Sequence, residues 1–205
     1  IIPNSSHISE GRMPSPDAIP IYVGFDQREA VAYHPFCQSV LEKSSLPVSF
    51  LPLTGGILPK NFDGKRDGSN AFIYSRFLVP YLMGYKGWAI FADGDMVCQA
   101  DIAELWLSRN PYDGVMVVKH DYRTKQQVKY LGSRNEDYPR KNWSSLILWN
   151  CSFIPHQKLT PDFVSRQAGS YLHQFSWMDD NRIGSLPKEW NWLVTEYPEN
   201  KDAKL

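Results

Sequence analysis

Two acidic residues one position apart, Asp93-Gly94-Asp95, directly follow a continuous apolar run, Trp88-Ala-Ile-Phe-Ala92. A run of that length predicts a buried strand, which puts both carboxylates at the carboxyl edge of a sheet, where open α/β sheets bind ligands. Two like charges this close repel unless a cation lies between them. Oxygen ligands of this kind suit Mg²⁺ or Mn²⁺, hard ions that take one or two protein carboxylates and fill their shell with substrate phosphate. An ion so held neutralises a departing diphosphate. Gly94 lets the backbone turn tightly and a ligand come close. The plain alternative is a solvated turn, where Asp-x-Asp is common. A calcium loop is excluded, because Asp93-Gly-Asp95-Met-Val lacks the third oxygen ligand and the glycine at their required places.

Two further groups of residues point to the same chemistry. Tyr74-Ser-Arg76-Phe falls on a helix predicted from Asn70 to Gly84, capped by Ser69 or Asn70, with Phe72, Phe77, Leu78 and Leu82 on its apolar side. Arg76 on that helix is expected to face the metal edge, where a guanidinium would hold a diphosphate or a sugar through forked hydrogen bonds; a surface arginine is the alternative. Trp177-Met-Asp179-Asp180-Asn181 is a second acidic cluster. Such a pair binds sugar hydroxyls or stabilises an oxocarbenium-like centre, or Asp179 simply caps a helix.

The elements that must position these groups alternate between strand and helix. Ile21 to Phe25 reads as a strand ending at Asp26, and Arg28 to Lys43 as a helix with Val31, Phe36, Val40 and Leu41 apolar and a kink at Pro35. Val48 to Leu53 is a second strand, and Thr54 to Ser69 a loop. Asp101 caps a short helix through Leu107; Gly114–Val118 and Leu146–Trp149 are further strands; Thr160 opens a helix from Pro161 to Gln174; Gly184 to Pro187 is a turn. This alternation predicts an α/β domain with a mostly parallel central sheet flanked by helices. Residues 1–19, polar and rich in Ser and Pro, read as an N-terminal arm, and residues 20–205 as a single domain.

Composition narrows the function classes. Lys plus Arg equals Asp plus Glu at 22 each, so no net field draws the chain to nucleic acid or a membrane surface. No apolar run approaches the roughly 18 residues of a membrane span. Cys37, Cys98 and Cys151 have no metal-type spacing, and the last two lie in apolar runs, which predicts buried free thiols and a cytoplasmic setting. The opening stretch is not a signal peptide. Sequon-like triplets at Asn142 and Asn150 fall in or beside a strand and read as chance.

Taken in order, the motifs resemble glycosyltransferase family 8, the group containing glycogenin and bacterial lipopolysaccharide galactosyltransferases. Ile21-Tyr-Val-Gly-Phe-Asp26 resembles the family's first strand and nucleotide-binding turn. Tyr74-Ser-Arg76-Phe-Leu-Val-Pro80 resembles its arginine-bearing helix, and Phe91-Ala-Asp-Gly-Asp-Met-Val97 its metal motif. Ser144-Ser145-Leu-Ile-Leu-Trp-Asn150 sits where the family carries an Asn-Ala-Gly strand, and Trp177 to Asn181 resembles its Asp-Gln-Asp segment. The resemblance implies a GT-A-type nucleotide-diphospho-sugar transferase fold, a UDP-sugar donor, Mn²⁺ (or Mg²⁺), and transfer with retention to a glycan, lipid-linked or protein acceptor. By the same resemblance Asp93 and Asp95 hold the metal. Gly24, Phe25 and Asp26 contact the nucleoside, Arg76 the diphosphate or donor sugar, and Ser144 and Ser145 the sugar side. Asp179 and Asp180 line the reacting carbon. The family's third metal ligand, a histidine near its C-terminus, has no match before Leu205; a domain truncated there is the expected reading, and weakened metal affinity or a divergent branch are the alternatives.

Two other functions fit the same residues. A haloacid-dehalogenase-type phosphatase also places Asp-x-Asp after an apolar strand, its first Asp acting as nucleophile; in that class the strand opens the fold, whereas here strands and helices from Ile21 onward precede it. A non-catalytic nucleotide-sugar-binding module is the other, and the missing histidine favours it.

Overall fold

Residues 18–60, 62, 72–121, 139–194 and 196–205 are described in a computed structural model of the chain. Strand β1 (Ile19–Gly24) is short and apolar, and it lies between β2 (Val48–Leu53) and β3 (Trp88–Ala92), parallel to both. The sheet continues through β5 (Leu146–Asn150) to β4 (Val115–Val117) and β6 (Ile183–Ser185), giving six strands in the order β2-β1-β3-β5-β4-β6. Strand β5 is antiparallel to both its neighbours, while β6 is parallel to β4. The sheet is thus mostly parallel, as expected, with one strand reversed.

Side chains alternate across the pleat, and both faces are covered. On one face Ile19, Ile21, Val23, Ile90 and Leu148 pack against Phe36 and Val40 of α1 (Ala30–Lys43) and Ile102 and Leu105 of α3 (Ile102–Leu107). On the other, Tyr22, Phe91, Ile147 and Trp149 meet Phe77, Leu78, Phe175 and Trp177. Burial on both sides is why the central strands read as unbroken apolar runs. Phe91 is fully enclosed, and truncating it to Ala would cost about 3–5 kcal/mol.

Four readings of the sequence are corrected. The helix expected over Asn70–Gly84 is, in its described part, a turn, a 3-10 turn at Ser75–Leu78, and one short helix, α2 (Val79–Leu82). Pro80 lacks the N–H that would bond back into the preceding turn, so α2 starts beside it; the proposed cap at Ser69 or Asn70 lies outside the described residues. The helix expected over Pro161–Gln174 divides into α4 (Pro161–Arg166) and α5 (Gly169–His173), with Thr160 capping the first as predicted. Extended backbone at Gln167 and Ala168 makes the break, and it seats Gly169 where a Cβ would lie 3.2 Å from the Tyr74 hydroxyl. Val31 and Leu41 are exposed rather than part of the apolar face of α1. The first half of the turn expected over Gly184 to Pro187 is instead part of a strand, β6, whose Gly184 packs against the Asp113 carboxylate with no room for a Cβ.

Asp101 caps α3, accepting from the Ala103 N–H at 2.9 Å. Cys98 and Cys151 are buried free thiols and Cys37 is partly exposed. Among the described residues no helix is long and apolar enough to cross a membrane.

Candidate active site

Because β1 and β3 are parallel neighbours with Val23 opposite Ala92, Gly24 and Asp93 leave the sheet side by side at its carboxyl edge. Gly94 packs directly on the Gly24 carbonyl, and Gly24 in turn lies under the Phe72 ring, so neither position admits a side chain without displacement. The chain beyond Gly24 then turns into Gln27–Glu29 with Asp26 as its cap. Asp26 accepts from the Arg28 backbone N–H and Nε at 3.0 Å each and pairs with Arg28 Nη2 at 2.6 Å. Its carboxylate is buried and committed to shaping this turn.

A small recess of about 10 Å³ lies between these pieces, lined in part by Gly24, Phe25, Asp26, Glu29, Tyr33, Phe72, Gly94 and Asp95. Asp95 is exposed at its rim. Burial, followed by the negative charges of Asp95 and Asp26, raises the Glu29 carboxyl above its ordinary range. Glu29 and Asp95 thus face one another across the recess as like charges, while Asp26 is neutralised by Arg28.

Arg76 reaches the same edge from the 3-10 turn before α2. It is buried, with its Nη1 3.0 Å from Asp93 Oδ1 and 2.7 Å from the Ser144 carbonyl, to which it donates. The residues entering β5 close the edge on the far side. Asp93 N–H donates to the Ser145 carbonyl at 2.9 Å. Ser145 Oγ donates to the Asn142 carbonyl at 2.8 Å and accepts from Asn191 at 2.7 Å. Ser144 Oγ and His173 Nδ1 are 2.7 Å apart. Asn142 holds the left-handed backbone this turn requires, with φ 60°, a conformation asparagine tolerates.

Eight of the ten residues singled out from the sequence thus share one edge: Gly24, Phe25, Asp26, Arg76, Asp93, Asp95, Ser144 and Ser145. The remaining two are placed differently. Asp179 borders a separate open hollow with Ile154, Pro155, Lys158, Trp177 and Arg182, built from the segment that follows β5 at the opposite end of β3. Asp180 is exposed and pairs with Arg140 at 2.6 Å, and Arg140 also covers the Trp143 ring, so Asp180 reaches the edge only through that arginine. Glu29, Phe72, His173 and Asn191 belong to the site and carried no motif. Glu29 had one signal, an acid three positions after Asp26, where the next turn brings it back to the same side.

The carboxylates suit a hard divalent ion. Asp93 is one-fifth exposed at its side chain, and Asp95 is open. Among the described residues no group of three His, Cys, Asp or Glu side chains is arranged to hold a metal ion, so an ion here would complete its shell with phosphate oxygens and water.

The architecture is the GT-A glycosyltransferase fold. The chain aligns with the WbbM bifunctional glycosyltransferase at TM-score 0.59 and 16% identity, covering 86% of this chain and 40% of that one. It aligns with the galactosyltransferase LgtC, solved with donor and acceptor sugar analogues, at TM-score 0.54 and 13% identity over 86% of this chain and 76% of that one. Mouse xyloside xylosyltransferase 1 aligns at TM-score 0.50 and 14% identity over 84% and 86% of the two chains. The chain thus spans less than half the length of WbbM. No family model matches the sequence. It belongs to the family of Protein CDI of Arabidopsis thaliana, with which it is 41% identical over 177 residues, 84% of this chain and 68% of that protein.

Proposed function

We propose that the chain is a metal-dependent glycosyltransferase that moves a sugar, with retention at the anomeric carbon, from a UDP-sugar to a glycan, lipid-linked or protein acceptor. The observation that carries the proposal is the Arg76–Asp93 pair and the exposed Asp95 at the carboxyl edge of β1 and β3, beside a small recess lined in part by Gly24 and Gly94. The shared fold of LgtC, whose structure holds donor and acceptor sugar analogues, supports it.

In this reading Asp93 and Asp95 hold Mn²⁺ or Mg²⁺, which when bound supplies positive charge to the leaving diphosphate. Gly24, Phe25 and the Asp26 turn form the floor for the uracil and ribose. Arg76 donates to the diphosphate or the sugar, and the Ser144–Ser145 backbone sets the wall behind it. Asp180, steered by Arg140, is the acid we assign to the sugar. Asp179 is the weaker candidate, since its hollow lies apart.

The test is a thermal-shift screen of UDP, GDP and their sugars with and without Mn²⁺, followed by assay of UDP-sugar consumption. Stabilisation by UDP that needs Mn²⁺, together with donor turnover, is the expected result. Hydrolysis of an aryl phosphate without UDP binding would instead identify a phosphatase, and tight UDP binding with no donor consumed would identify a binding module.

A further inference from the structure

The Arg76 guanidinium carries a full charge in a nearly dry place. The residue is only 4% exposed, and its guanidinium carbon lies 4.9 Å from the centre of the Phe91 ring and 5.2 Å from that of Phe72. Its Nε is buried without a hydrogen-bond partner. Among the described residues one carboxylate pairs with it, Asp93, at 3.0 Å. A buried charge deprived of its counter-ion is strongly destabilising.

Asp93 is also the carboxylate assigned to the metal, so one side chain is shared by two cations. We infer that Arg76 is a built-in stand-in for the divalent ion: it holds Asp93 until an ion takes its place, and it makes ion and diphosphate bind cooperatively. This rests on the glycosyltransferase reading of the site. A divalent ion arriving alone takes up Asp93 beside an unshielded guanidinium, which costs like-charge repulsion. A diphosphate arriving with it offers anionic oxygens to the guanidinium fork and replaces what Asp93 supplied. Arg76 stays in position during the exchange because the Ser144 carbonyl still accepts from Nη1, and His173 holds that serine. Whatever factor the diphosphate adds to ion affinity, the ion must return to diphosphate affinity.

Calorimetry on the 205-residue chain tests this with Mn²⁺ alone, UDP alone and each in the presence of the other, for the wild type, R76M and R76K. In the wild type UDP should raise Mn²⁺ affinity by about tenfold or more. R76M should bind Mn²⁺ alone more tightly than the wild type, and its coupling should fall to about threefold or less. R76K keeps the charge and should keep most of the coupling. R76Q, whose amide still reaches toward Ser144, replaces R76M if that variant does not fold. Unchanged coupling in R76M, or Mn²⁺ binding no tighter than wild type, overturns the inference while leaving the site reading intact. Failure of the wild type to bind either Mn²⁺ or UDP removes the reading of the site itself, and the inference with it.

Discussion

Trp177 donates its indole N–H to Nδ1 of His156 at 3.1 Å, and the other ring nitrogen of His156 lies 2.9 Å from the Gly114 carbonyl. An indole nitrogen only donates, so Nδ1 accepts and Nε2 carries the proton given to Gly114. The imidazole is therefore held neutral, and burial pushes its pKa down to about 4.

Acid should weaken the fold through this residue. A pKa depressed from about 6.5 to about 4 contributes stability that is present above pH 6.5 and lost as pH falls through the folded value. The slope is at most about 1.4 kcal/mol per pH unit for one proton. His120, also lowered to about 4 by burial and by Lys188, adds to it in the same window. Urea denaturation between pH 7 and pH 5 measures the loss, and H156Q should show a shallower dependence than the wild type. Stability independent of pH over that range would mean that His156 is not held neutral in the core.

At Gly94 the fold tolerates nothing larger. A Cβ there would stand 2.4 Å from the Gly24 carbonyl oxygen, which is backbone of a central strand and cannot swing aside. G94A should therefore lose about 1–3 kcal/mol of stability and weaken Mn²⁺-dependent UDP binding together. Wild-type midpoints in denaturant would show that the turn opens freely and that the close approach is not required.

Asp95 is exposed and its replacement should leave the fold alone. D95N is expected to keep its melting temperature while losing Mn²⁺-dependent UDP affinity by more than about tenfold, or about 1.4 kcal/mol. Retained affinity in the presence of Mn²⁺ would take Asp95 out of the site.

Glu29 gives the opposite sign. Its carboxyl is raised by burial first and by Asp95 and Asp26 after it, so whatever stability its protonated form contributes is present at low pH and lost as pH rises through the raised pKa. E29Q should melt higher than the wild type at pH 7.5, and the gain should vanish on acidification into the carboxylate range. Equal melting temperatures at pH 7.5 would show that the three acids at the recess do not strain one another.

Much of this site was legible because its parts are local. Trp88–Ala92 is a run bounded by Gly87 and Asp93, and a strand buried on both faces needs only that apolar continuity to announce itself. Asp101 and Thr160 announced their helices as side chains that satisfy free N–H groups. What escaped was set by distant parts of the chain. The reversal of β5 depends on pairing with Trp88–Ala92 and Val115–Val117, and its residues read the same in either direction. Ile183–Ser185 is too short, and too glycine-bearing, to read as a strand without Val115–Val117 beside it. The Arg76 side chain could be placed on an amphipathic face, but its union with Asp93 and the Ser144 carbonyl exists only after three separate segments meet. Asp179 and Asp180 show the limit of motif reading, since adjacency in sequence sent one toward Arg140 and the other to a different hollow.

The backward course of β5 has a result for how such a site can change. Parallel strands deliver to this edge the residues at which they end, Gly24 and Asp93, and any alteration there disturbs the sheet itself. β5 delivers the residues by which it is approached, Arg140 to Ser145, a stretch of turn hinged on Asn142 and latched by Asn191. Variation in that stretch can reshape one side of the candidate site while every strand keeps its register, so the shape of that edge and the integrity of the sheet are free to diverge along different segments of the same chain.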